Sequence, residues 1–280
     1  MTPAQQAVAG ATRTLLSPLS RLAHRVLDRF ELPILSGPNR GRKWHIGSGL
    51  LGCWLGTYET LEMTVFGALI EPGAVVYDLG AHSGYFTLLA SRLVGPDGKV
   101  VAVEALPENV QALERHLELN GLGNVTIVER AVGDRDDAAI AFGGKETGLR
   151  YGAARSGGPQ GLADELSVQS ITLDTLVARG APLPDVVKMD VEAMEAAVLD
   201  GAAAVLGACR TAWLISMHEH AVAVRTVVAL RASGHDVYNL DGPPVPFGTL
   251  TTVDYPKDFW VVLALPAGRK PPMVGNWKQS

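Results

Sequence analysis

VVYDLGAHSG, residues 75–84, carries a short β-branched and aromatic run into a glycine turn that opens a helix. Its pattern is Asp-x-Gly-x-x-x-Gly. Gly80 lets the chain bend sharply and lets a ligand come close to the backbone, and Gly84 lets the helix start against the sheet. Amide groups at such a helix start suit a carboxylate. A dinucleotide fingerprint needs Gly-x-Gly-x-x-Gly, the third glycine making room for a pyrophosphate, and Leu79 and His82 do not give that spacing. The second half of the unit is VVAVE, residues 100–104. Glu104 ends the next strand, the place where an acid accepts hydrogen bonds from ribose hydroxyls. Ala105 and Leu106 follow with apolar surface for an adenine ring. A solvated loop acid beside a tight turn is the blander reading, but strand, loop, helix, strand and acid fall here in order.

Outward from that unit, hydrophobic spacing predicts a helix from Thr57 to Ile70 and another from Phe86 to Leu93. A third runs from Pro107 to Asn120, with proline in its first turn and Asn120-Gly121 as its stop. Strands follow at Val125–Val128, Val186–Met189, Trp213–Met217, Val237–Leu240 and Phe259–Leu265. A long helix carries Val191, Met194, Val198, Ala202 and Val205, and another spans Val222 to Ser233. Strands alternating with helices mean a mostly parallel, seven-stranded sheet covered on both faces. The last two strands lack a helix between them, so one runs antiparallel. Residues 1–50, rich in breakers, are expected as a helical arm and loose cap, 51–268 as the main domain and 269–280 as a tail. Gly143 to Gly161 holds seven glycines with Lys145, Arg150 and Arg155. Such a stretch forms no regular element cheaply, and a lid over a substrate and an insertion without a role both stay open.

The 280 residues are 47% hydrophobic, enough to bury a sizeable core. A net charge of −5 argues against a protein that grips nucleic acid through phosphate neutralisation. Cys53 and Cys209 stand far apart without metal-ligand spacing, as in a reduced cytoplasmic chain. Arg13, Arg21, Arg25 and Arg29 give the N-terminus a basic character, but no long apolar run follows. Cytoplasmic localisation without stable membrane insertion is the expectation.

VVYDLGAHSGYFTLLAS, VAVEALPENV, LELNGLGNV, ITLDTL and VVKMDVEAMEAAVLDGA together resemble the FkbM family of SAM-dependent methyltransferases. LGTYE, residues 55–59, resembles its lead-in helix. The resemblance implies a class I, Rossmann-like α/β methyltransferase fold, S-adenosyl-L-methionine (SAM) as cofactor, and O-methylation of a hydroxyl on a sugar, glycolipid or natural product. Carried over by position, Asp78, Gly80, His82 and Glu104 fall on the cofactor site. Ala81 and Ser83 of the same turn, Ala105 and Leu106 complete its core, and Tyr58 and Glu59 join it by closing the lead-in's first turn near the cofactor's amino group. Ala193 departs from the family, whose members commonly have glycine there, and its methyl group is expected to narrow the pocket mouth.

Methyl transfer to an alcohol needs the acceptor oxygen on axis and a base for its proton. Asp190, at the tip of the fourth strand, Glu192 just beyond it, and His218, at the tip of the fifth, are the catalytic candidates. His218 is favoured as base, with His220 as alternative. Asp190 with Glu192 can also be imagined around a divalent ion, but two carboxylates are a thin ligand set, and no metal is expected. Glu195 reads as an acid placed by the helix dipole. Lys188 reads as structural, its amine meeting Asp190 or Asp174. The expected partner is a small-molecule hydroxyl acceptor and not nucleic acid, since Lys188-Met189-Asp190-Val191 stands where a nucleic-acid methyltransferase would carry Asn/Asp-Pro-Pro-Tyr. Oligomeric state is silent. A catalytically inactive SAM-binding scaffold and an NAD(P)-dependent oxidoreductase are the other readings.

Overall fold

The computed structural model describes residues 30–143, 153–156, 166–240 and 260–272. The chain enters through strands β1 (Glu31–Pro33) and β2 (Lys43–His45), then helices α1 (Leu51–Leu55) and α2 (Thr60–Leu69). The nucleotide-type unit follows as β3 (Val75–Leu79), α3 (Tyr85–Val94), β4 (Lys99–Glu104), α4 (Pro107–Asn120) and β5 (Val125–Glu129). Next come β6 (Ala131–Val132), β7 (Ala139–Gly143), β8 (Ala153–Ser156), β9 (Leu166–Ile171) and α5 (Leu173–Ala178). The second half holds β10 (Val186–Met189), α6 (Glu195–Asp200), α7 (Ala203–Gly207), β11 (Ala212–Met217), α8 (His220–Ala232), β12 (His235–Asn239) and β13 (Trp260–Pro266).

Seven strands form one sheet in the order β12-β13-β11-β10-β3-β4-β5. All neighbours pair in parallel except β13, which is antiparallel to both β11 and β12. This is the class I methyltransferase arrangement. Alternate residues of each strand feed opposite faces. Val76, Val100, Val186 and Leu214 pack under α2 and α3, whereas Tyr77, Val101, Val187 and Trp213 pack under the helices of the second half. The order reverses between β3 and β10, so the loops leaving these two strands diverge and open a crevice at their C-terminal ends.

Three expectations need correction. Residues 30–50 are no loose cap: β1 and β2 form an antiparallel hairpin that buries Ile34, Trp44 and Ile46. The residues that looked like mere breakers make its turn, where Arg40 N–H donates to the Gly37 carbonyl at 3.1 Å. The helical arm expected before residue 30 lies outside the described residues. The long helix from residue 191 is two short ones, because Gly201 lies against the backbone of Gly133, and a Cβ there would come within 2.2 Å of the Gly133 carbonyl oxygen. The stretch after Gly143 does contain a regular element: β8 pairs with β7 in a second sheet ordered β6-β9-β7-β8. The rest of that glycine-rich stretch, 144–152 and 157–161, lies outside the described residues.

The hairpin is tied to the glycine turn through one buried histidine. Trp44 stacks on His116 of α4 with ring centroids 3.9 Å apart. His116 Nε2 accepts from His45 N–H at 3.0 Å, so Nδ1 carries the proton that it donates to the Ser83 carbonyl at 2.7 Å. Burial holds this imidazole neutral, with its pKa down at about 4. The unfolded chain therefore binds more protons than the folded one between pH 6.5 and about 4, and stability falls as pH drops through that window. The loss from this group reaches up to about 3 kcal/mol. Denaturant unfolding at stepped pH should show it, and a curve flat between pH 7 and 5 would contradict it.

Candidate active site

The crevice is a cleft of about 1030 Å³, open to solvent. Tyr58, Glu59, Gly80, Ala81, His82, Ser83, Glu104, Ala105 and Leu106 all line it, as do Asp190 and Glu192. Two candidates do not. Asp78 is fully buried behind the turn, where its Oδ2 accepts from the Thr87 hydroxyl at 2.6 Å. It braces the turn from behind and does not line the cleft. His218 stands beside the wall, its Nε2 3.3 Å from Asp190 Oδ1.

Glu104 is the best-anchored group of the cleft. Its Oε2 accepts from His82 N–H at 2.7 Å, and its Oε1 accepts from Leu106 N–H at 2.9 Å and Asn109 Nδ2 at 3.1 Å. Burial pushes its pKa up, and those three donors pull against it. His82 reaches Glu104 because it sits in the left-handed region, at φ 51°. Gly80, at φ 76°, passes so close to the loop after β10 that a Cβ would fall 1.9 Å from the Asp190 carbonyl oxygen. Beyond Glu104, Ala105, Leu106, Ile140 and Phe142 give the cleft an apolar stretch of wall. Ile140 and Phe142 come from β7, in the sheet missed by sequence reasoning, and nothing in their short, half-exposed strands announces it.

At the other end lies a buried charge network. Lys188 pairs across the sheet with Asp78, and its Nζ lies 3.3 Å from Asp190 Oδ2 and 4.8 Å from the centre of the Phe86 ring. Burial would lower its pKa, but the charges of Asp190, Asp78 and Glu59 outweigh burial and raise it. Lys188 therefore stays an ammonium. Asp174, its other expected partner, instead accepts from the backbone N–H of Ala204 at 3.0 Å. Tyr58 and Glu59 precede α2, which begins only at Thr60, and Glu59 is held at φ 42°. Burial raises the Glu59 pKa, against the pull of Lys188.

The FkbM methyltransferase domain model matches residues 78–232, more than half of the chain. The chain belongs to that family. FkbM methyltransferases use SAM, and the cleft lining offers groups that would hold it: Glu104 would accept from the ribose, Ala105, Leu106, Ile140 and Phe142 would flank the adenine, and the Gly80–Ser83 turn with Glu59 would meet the amino-acid end. The protein-L-isoaspartate O-methyltransferase of Caenorhabditis elegans is 34% identical over 102 residues, 34% of this chain and 43% of that protein. That of Aeropyrum pernix is 45% identical over 64 residues, 23% of this chain and 24% of that protein. The chain thus spans less than half the length of these curated relatives. A solved structure of methyltransferase FkbM from Methylobacillus flagellatus KT aligns at TM-score 0.46 and 14% identity, covering 68% of this chain and 43% of that one. No helix among the described residues is long and apolar enough to cross a membrane.

The turn between β10 and α6 of this FkbM domain also lines the cleft, through Asp190, Val191, Glu192 and Met194. Glu192 and Ala193 both lie in the left-handed region, at φ 51° and 70°. Ala193 does not line the cleft, so its methyl group strains the backbone and does not narrow the mouth. Glycine removes that strain, and Ala193→Gly should raise stability by about 0.5–1 kcal/mol after the entropy glycine adds to the unfolded chain. A thermal melt checks this, and a lowered Tm would refute it.

Proposed function

We propose that this chain transfers the methyl group of SAM to a hydroxyl oxygen of a small molecule such as a sugar, a glycolipid or a natural product. The observation carrying this reading is the meeting of Asp190, Glu192 and His218 beside the cleft's methionine end, where one side-chain atom of each lies within 4.8 Å of the others. An alcohol is a poor nucleophile until its proton leaves, and it needs a base at this place, whereas an amine or thiol needs it far less. Bound SAM supplies the electrophilic methyl group. Asp190, its other oxygen already on Lys188, orients the acceptor hydroxyl. His218 takes the proton on Nε2. Burial would lower the His218 pKa, but the hydrogen bond it donates to Glu195 and the charges of Asp190 and Glu192 raise it above the ordinary value.

The same three groups are a conceivable ligand set for a divalent cation. The Lys188 ammonium on Asp190 weakens that reading, since it already neutralises the carboxylate the ion would need. An acidic acceptor side likewise disfavours a phosphate-rich substrate, so no nucleic-acid partner is proposed.

The test is label transfer from methyl-tritiated SAM to sugars and glycosides, with an isoaspartyl peptide and RNA in parallel. A methyl ether survives mild base, whereas a methyl ester releases methanol. Base-stable label in the polyol supports the proposal. Base-labile label in the peptide, or label in RNA, would overturn it. Tight SAM binding without transfer to any acceptor would favour a non-catalytic scaffold.

A further inference from the structure

Glu195 opens α6, where an acid needs no explanation beyond the helix dipole. Its surroundings do not fit that account. The side chain is fully buried, whereas a dipole acid keeps its head in water. Its Oε1 lies 2.8 Å from His218 Nδ1 and also accepts Ala193 N–H at 3.1 Å. Its Oε2 is buried and has no hydrogen-bond partner among the described residues, which costs the desolvation of that oxygen. An apolar residue would avoid that cost, so the dipole is not what keeps a carboxylate here.

From this geometry we propose that Glu195 is a positioning residue for His218, holding the imidazole by Nδ1 so that Nε2 is the nitrogen presented to the acceptor. This rests on the reading of the site as O-methyl transfer. A carboxylate only accepts, so Nδ1 must carry the hydrogen in this contact. Neutral His218 then has its lone pair on Nε2, the atom 3.3 Å from Asp190 Oδ1 and 3.9 Å from Glu192 Oε2. When the acceptor's O–H bond breaks, its electron pair stays on the oxygen as that oxygen takes up the methyl group, and the proton binds the Nε2 lone pair, leaving His218 as an imidazolium hydrogen-bonded to Glu195 and Asp190. No external acid or base is consumed until that proton returns to water. The strained turn is part of the device. With Glu192 and Ala193 both at positive φ, the chain doubles back so that the Ala193 N–H pins the same Oε1 that holds the histidine. Asp190 and Glu192 from the loop after β10 and Glu195 from α6 raise the His218 pKa, and the Lys188 ammonium stands on the far oxygen of the same Asp190.

Imidazole ¹⁵N–¹H correlation spectra of the full chain test this without any acceptor, with His218→Asn supplying the assignment. The expected result is neutral His218 as the Nδ1–H tautomer, titrating above pH 6.5. In Glu195→Gln, which keeps the side chain's shape, the titration should move down and the Nε2–H tautomer should appear. Glu195→Asp, which keeps the charge but shortens the reach, should fall between. With a methyl-accepting polyol in hand, Glu195→Gln should also lower kcat, by up to about 10⁴-fold, at unchanged SAM affinity, as wrong-tautomer variants do. An Nε2–H tautomer in the unaltered protein would overturn the inference. So would a Glu195→Gln variant that loses thermal stability while His218 titrates as before. Failure of the base reading looks different: the spectra come out as expected, but His218→Ala transfers methyl groups at the full rate.

Discussion

Gly80→Ala should cost this protein its SAM binding, with affinity falling by about 100-fold or more. Two effects act at that position. The first is backbone strain, since φ is 76° and a side chain there costs about 1–2 kcal/mol. The second is collision, since the new Cβ would lie 1.9 Å from the Asp190 carbonyl oxygen and 2.9 Å from its carbon, both backbone atoms that cannot rotate away. The loops after β3 and β10 must then separate, and they are the two lips of the cleft. Gly73→Ala isolates the first effect, because Gly73 sits at φ 82° with nothing within 4 Å of its would-be Cβ. Calorimetry with SAM on both variants, next to their thermal melts, separates strain from collision. Both should melt lower than the parent, and only Gly80→Ala should lose affinity. Gly80→Ala binding SAM as the parent does would remove the basis for placing the cofactor here.

What the sequence discloses is what is local. The β3–α3–β4–α4 unit is legible because each turn is punctuated: Gly80 and Gly84 after the first strand, Pro107 at one end of α4, and Gly121, at φ 63°, at the other. Glu104 is legible because strand ends place residues by simple counting. The hairpin β1–β2 and the sheet β6-β9-β7-β8 are not legible, since each strand is short and buries only a few side chains. Their pairing is decided by what they pack against, such as Trp44 on His116. The helix break at Gly201 is invisible because the apolar period of Val191, Met194, Val198, Ala202 and Val205 runs straight across it. Glu195 is the most instructive case. A local rule already explains an acid in a first helical turn, and its real partner is His218, 23 residues away. Local sufficiency hid a long-range contact. The buried Lys188–Asp78 pair is of the same kind, since only the register of β3 against β10 brings them together.

His218→Ala should lower kcat by ~10²–10⁴-fold while leaving SAM affinity within about twofold of the parent. The separation follows from placement: His218 lies beyond Asp190, outside the lining of the cleft. The pH dependence sharpens the expectation. A base works only when neutral, and the acids around His218 hold its pKa above the ordinary 6.5. In the unaltered protein kcat should therefore climb with pH through a limb lying above 6.5, and the residual activity of His218→Ala should lack that limb. The same shift has a stability sign. Because the folded pKa exceeds the unfolded one, the imidazolium contributes most below pH 6.5 and its contribution fades as pH rises through the folded value. Rising activity and fading stability over one pH window would report the same proton leaving His218. Full activity in His218→Ala, with the limb intact, would move the base to Asp190 or Glu192, the two carboxylates next to His218 that line the cleft.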